Sequence, residues 1–183
     1  MKAVHLPVLL PQFFCLASCL SLSIAAASEP QNLPIGAFAF EIEAEVPGLP
    51  ESVYDALTGD ITGWWDHTMS GDPYQLIIEA KPGGGFWEVF DASGQGVRHA
   101  VVTYAHRGKQ LRFEGPLGLA GHAIQMVTTY ELMPAGEGTT LLKVSVHASG
   151  EIQAGWPEMV QKTWQRFLFE RFVPYVKGEL FRE

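Results

Sequence analysis

The chain has 183 residues, 47% hydrophobic and 17% charged, and its 12 basic and 20 acidic side chains give a formal net charge of −8. That length supports one domain with a sizeable core and is short for two. The acidic balance, with no cluster of lysine and arginine, argues against a nucleic-acid partner, because phosphate binding needs grouped cations.

The N-terminus reads as an export segment. Met1-Lys2 precedes a mainly apolar run over residues 6–24 and an Ala25-Ala26-Ala27-Ser28 exit, the pattern of a secretory signal peptide cleaved after Ala27. The single cation and the interruptions at Pro7 and Pro11 leave an uncleaved anchor as one alternative. Another is lipidation at Cys19, since Leu16-Ala17-Ser18-Cys19 resembles a bacterial lipobox, although Leu20, Leu22 and Ile24 carry the apolar run past it. Cys15 and Cys19 are the chain's two cysteines, so cleavage after Ala27 leaves a domain with no thiol, disulfide or cysteine metal ligand. Loss of Lys2 moves the charge from −8 to −9. The expected location is periplasmic or secreted, with no stable membrane insertion after cleavage.

Residues 28–36 form a short polar linker with two prolines. Over 37–46, Phe38, Phe40, Ile42, Ala44 and Val46 alternate with Glu41, Glu43 and Glu45, which predicts a first strand with one wet face. Pro50 opens a short helix over 50–57, and residues 61–65, ending in Trp64-Trp65, suggest a second. From residue 74 the pattern changes to strands punctuated by turns: 74–80, 86–90, 97–106, 111–114, 122–133 and 139–148. The last element is a long amphipathic helix over 156–177. Val160, Trp164, Phe167, Leu168, Phe172, Tyr175 and Val176 recur at three- and four-residue intervals on one stripe. Pro174 predicts a kink or an end near Phe169–Glu170. A stripe this aromatic needs a broad partner, and a curved antiparallel sheet supplies one.

The expected fold is therefore α+β: a seven-stranded curved antiparallel sheet around a long C-terminal helix, with two short helices after strand 1. That order over residues 37–178, followed by a short tail at 179–183, resembles the helix-grip fold of the START/polyketide-cyclase (SRPBCC) superfamily. Trp64-Trp65, the Lys81-Pro82-Gly83-Gly84-Gly85-Phe86-Trp87 turn, Gly94-x-Gly96 and Gly138-Thr139-Thr140-x-Leu142 are similar to the branch that includes the ATPase activator of a heat-shock chaperone. The resemblance implies a ligand cavity between sheet and helix and leaves catalysis open.

The expected function is binding of a small hydrophobic molecule, with Trp64, Trp65, Phe86, Tyr104, Phe113, His122, Trp164 and Phe167 as candidate ligand contacts. The same rings can equally fill a core. An enzyme of cyclase, dehydratase or hydrolase type is the alternative, with His122, Tyr104 or Glu88 as its acid or base. A protein-interaction module is the third reading, although export separates the domain from a cytoplasmic chaperone. His67, His99, His106, His122 and His147 show no metal-ligand spacing, so no metal is expected. No cofactor is expected either: Gly83-Gly84-Gly85 leads into a strand, whereas a phosphate cradle needs a helix N-terminus. Asp66-His67 can form a polar mouth over an apolar pocket, and the small apolar loop 115–121 can gate it.

Overall fold

A computed structural model describes residues 29–179. The chain divides into two units, Met1–Asn32 and Leu33–Glu183. The first is described only over 29–32, which carry no regular structure. The expected signal peptide with Cys15 and Cys19, and residues 180–183 of the tail, lie outside the described residues. Among the described residues no helix is long and apolar enough to cross a membrane.

The second unit is built on one antiparallel sheet of eight strands. They are β1 (Ile35–Pro47), β2 (Gly59–Asp60), β3 (Gln75–Ile78), β4 (Gly85–Val89), β5 (Gly96–His106), β6 (Gln110–Gly115), β7 (Ile124–Gly136) and β8 (Thr139–Glu151). Their order across the sheet is β1-β8-β7-β6-β5-β4-β3-β2, so the first strand closes onto the last and the other six follow as a meander. β1 begins at Ile35, inside the expected linker, and Ile152 N–H donates to Pro34 O at 3.0 Å just before it. Its alternation is as the sequence implies: Ile42, Ala44 and Val46 are buried, and Glu41, Glu43 and Glu45 are exposed. The inward face continues across the ladder in register, with Phe40, Val146, Thr128 and Phe113 in one row and Ile42, Val144, Tyr130 and Leu111 in the next.

Two expectations need correction. The sheet has eight strands instead of seven, and one helix, α1 (Pro50–Ala56), follows β1 instead of two. Gly59, in the left-handed region at φ 70°, turns the chain out of α1. Gly59 and Asp60 then pair with Ile78 and Ile77, and Ile61 N–H donates to Leu76 O at 3.0 Å. The sheet takes the backbone groups a second helix would use. A single turn remains, in which Trp64 and Trp65 N–H groups donate to Ile61 O at 3.1 and 2.9 Å.

The long C-terminal helix runs as α2 (Trp156–Arg166), a π-helical segment (Phe167–Phe172) and α3 (Val173–Val176). Pro174 has no N–H to offer and would press on the carbonyl of Glu170 in a regular helix. The chain meets this with a widened turn instead of ending. The wider turn also brings Phe167 and Phe172, five residues apart, to the buried side together. Val160, Trp164, Phe167, Leu168 and Phe172 of the expected stripe are buried on the sheet, whereas Tyr175 and Val176 are only half-buried.

Candidate functional site

A cavity of about 250 Å³ lies where the C-terminal helix, the inner face of β7, the segment after β2 and the loop after β6 meet. Three rings form its aromatic wall. Trp65 stacks on Phe167 with centroids 4.2 Å apart, and both stand edge-on to Trp164 at 5.8 and 5.9 Å. Mutual edge and stacked packing fixes the ring planes. Trp65 is further held by its indole N–H, which donates to His67 O at 2.9 Å.

The opposite wall is the 3₁₀ turn Leu117–Leu119. Leu117 is the one non-glycine among the described residues with a left-handed backbone, at φ 50°, and it is buried. For a bulky residue that conformation costs about 1 kcal/mol or more, and it persists here with the side chain packed into the cavity wall. Gly118 lets the loop approach His67 closely, since a Cβ there would stand 2.9 Å from His67 Nε2. Met126 and Met159 add adaptable apolar surface. His67 is the sole titratable side chain on the wall, and the other polar side-chain atoms there are the Thr163 hydroxyl, which donates to Met159 O at 2.9 Å, and the two indole N–H groups.

Beside the mouth, Asp66 accepts from both terminal nitrogens of Arg166 at 3.2 and 2.5 Å and stands 3.3 Å from Arg171 Nε. These contacts tie the Trp64–Asp66 segment to the helix. A second polar knot lies deeper. Glu88 is fully buried, and its carboxylate accepts from Met69 N–H at 2.9 Å and from Ser70 N–H and Oγ at 2.7 Å, with His99 Nε2 at 2.8 Å. Burial pushes this carboxyl up, but the Met69 and Ser70 donors and His99 together outweigh it and hold the group below the ordinary carboxylate value. A β-bulge explains His99. Phe86 pairs with Ala100 and Trp87 with Arg98, so His99 is the extra residue and both His99 and Ala100 point inward. Glu88 is thereby committed to holding the 69–70 loop.

No family profile matches the chain, and no curated protein matches it. Solved structures do. A structural-genomics protein of Rhizobium leguminosarum superposes with a TM-score of 0.59 at 11% identity, covering 81% of this chain and 100% of that one. One from Rhizobium loti does so at 0.55 and 23% identity, covering 80% and 99%. One from Chromobacterium violaceum gives 0.52 and 23%, covering 75% and 96%. At such identities the likeness shows the fold: an antiparallel sheet with a long C-terminal helix.

Of the eight candidate ligand contacts, Trp65, Trp164 and Phe167 line the cavity. The other five lie elsewhere. Trp64 is buried on the far side of the helix stripe, edge-on to Phe172 at 4.9 Å, with its N–H donated to Ala56 O. Phe86 and Phe113 are buried behind the wall, Phe86 against Trp65 at 5.0 Å and Phe113 against Tyr130 at 5.6 Å. Tyr104 is 40% exposed on the outer face, beside Arg112. The cause is a second bulge: Val102 pairs with Phe113 and Tyr104 with Arg112, so Thr103 is the extra residue and the face of Tyr104 is inverted. His122 is half-exposed, with Nδ1 3.2 Å from the buried Glu151 carboxylate and its ring on Trp156. His67, Leu117 and Leu119 belong to the two segments the sequence marks as mouth and gate. Met126, Met159, Val160 and Thr163 were not among its candidates. Val160 sits on the aromatic stripe, which was the available signal for it. The methionines and Thr163 carry none, because only their position across from the loop gives them a role.

Proposed function

We propose that this domain is a helix-grip protein of the START/polyketide-cyclase type that binds a small hydrophobic molecule between the sheet and the C-terminal helix. The observation that carries the reading is the cavity of about 250 Å³, walled by Trp65, Trp164 and Phe167 and covered by the Leu117–Leu119 turn. It is a little below the roughly 300–1,000 Å³ usual for ligand clefts, so the molecule is small. The strained backbone at Leu117 supports a movable cover, because an opening that relaxes Leu117 recovers part of the strain. The apolar leader with its Ala25-Ala26-Ala27 exit supports action outside the cytoplasm.

Binding without chemistry is the preferred form. None of His122, Tyr104 and Glu88 lines the cavity, and Glu88 is occupied by the 69–70 loop. Native mass spectrometry of the protein from its own export compartment tests the reading. A discrete mass excess, lost on denaturation, is the expected result. The bare polypeptide mass, with no change in tryptophan fluorescence on adding small aromatic compounds, overturns it.

A further inference from the structure

The two edges of the sheet are finished differently. At one, β2 is two residues long and leaves little backbone unpaired. At the other, β1 runs 13 residues, Ile35–Pro47, with β8 on one side only. The two ends of the ladder show which of its groups face away from β8. Ile152 N–H donates to Pro34 O at 3.0 Å and Gly48 N–H to Gly138 O at 2.7 Å, and the register between them is unbroken. Hydrogen-bonded pairs alternate in an antiparallel ladder, so Pro34, Gly36, Phe38 and every second residue to Gly48 bond to β8. Ile35, Ala37, Ala39, Glu41, Glu43 and Glu45 therefore turn their N–H and C=O groups to the free edge. All six residues are exposed, and their main-chain groups have no hydrogen-bond partner among the described residues.

Long edges are ordinarily guarded by charge, proline or a bulge. Here the guard covers half the strand. Glu41, Glu43 and Glu45 stand on the outer face of its second part, whereas 35–40, Ile-Gly-Ala-Phe-Ala-Phe, carries no charge, proline or bulge. We infer that this stretch pairs with the same stretch of a second copy of the chain, antiparallel about a two-fold axis at Phe38. The strand is self-complementary about that point: Ala37 faces Ala39 and Ile35 faces Glu41, so no carboxylate opposes another. A centre further along brings the Glu41 carboxylates of the two copies together, until at residue 41 they oppose each other directly. On the inner face, Phe38 is half-buried and stacked on Phe40 with centroids 6.3 Å apart. At the axis it meets its copy in the closely spaced, non-hydrogen-bonded position, which covers both rings. This seam uses none of the residues that line the cavity.

The test is the association state of the protein in its exported form. One strand seam is smaller than a standard interface, so sedimentation equilibrium is expected to give a dissociation constant on the order of 10 µM. Ala39→Pro removes one outward N–H and spares the β8 ladder, a place where proline is tolerated. The variant should keep its circular dichroism and weaken the dimer about tenfold. Ile35→Glu, at a position 75% exposed, sets carboxylate against carboxylate and should weaken it about fivefold at low salt and less at about 0.5 M. Amide exchange on the wild type needs no variant. The Ala37 and Ala39 N–H groups should exchange about fivefold more slowly at about 1 mM protein than at about 20 µM, while those of Phe38 and Phe40 stay unchanged. A dimer indifferent to either variant, or exchange at Ala37 and Ala39 that ignores concentration, overturns the inference. A monomer at about 1 mM also overturns it and leaves the edge to an extended segment of another protein.

Discussion

The two sides of the C-terminal helix stripe use the same residue types to opposite effect. On one side Trp64, Tyr130, Leu142, Leu168 and Phe172 close on the inner edges of Trp164 and Phe167 to leave a void of about 10 Å³. On the other, Trp65, Trp164 and Phe167 leave about 250 Å³. Aromatic content does not distinguish them. What differs is the cover. The filled side is capped by Leu57, just past α1, a regular helix whose Val53 and Tyr54 are buried and which Arg107 ties down through both oxygens of Asp55 at 2.8 and 2.6 Å. The open side is capped by a three-residue 3₁₀ turn with one strained leucine and an adjacent glycine. A helix brings side chains down at every turn, whereas a short turn spans the gap with two leucines.

That contrast sets the expected ranking of substitutions. Phe172→Ala on the filled side removes a ring that is 1% exposed and should cost about 3–5 kcal/mol in urea unfolding. Leu119→Ala on the open side should cost about 1 kcal/mol or less while widening the range of compounds bound, because a cavity already lies beneath it. Equal costs for the two would break the comparison.

Glu88→Gln should cost about 2–3 kcal/mol, since the donors of Met69, Ser70 and His99 lose a charged acceptor. Its pH signature is definite. The folded-state pKa lies below the ordinary 4.5, so the carboxylate's contribution is fully present above that pH and is lost as pH falls through the native value. Acid unfolding followed by tryptophan fluorescence should be shallower below pH about 4.5 in the variant.

Thr128→Val should raise stability by about 1 kcal/mol. Thr128 Oγ1 is buried with no partner, in a row with Phe40, Val146 and Phe113, and valine keeps the shape without the hydroxyl. A lower thermal midpoint in the variant would mean that the hydroxyl has a partner in solution. Gly118→Ala should leave stability within about 0.5 kcal/mol, because the added methyl meets the exposed, movable end of His67, yet it should slow ligand entry. Stopped-flow fluorescence with a small aromatic compound measures that rate.

Much of the frame was legible in the residues. The alternation from Phe38 to Val46 specified β1 and its buried face, and the spacing from Val160 to Phe172 specified the helix stripe, because both patterns repeat with the period of the element itself. Pro174 marked the irregular stretch of the helix, though not that a π turn would absorb it. The misplacements have a common origin. Tyr104 went to the wrong face, and His99 acquired Glu88 as a partner, through bulges that exist only where neighbouring strands differ by one residue. β2 is two residues long and owes its existence to β3, so it carries no periodicity to read.

By itself, then, the sequence determined the longer elements, their order and, away from the bulges, which stripe of each is apolar, since these depend on repeats within a few residues. The tertiary structure alone decided which rings meet in the cavity and which fill the core. An unfilled volume is the difference between what surrounding elements enclose and what their side chains occupy, and those elements come from residues 65 to 167, far apart along the chain.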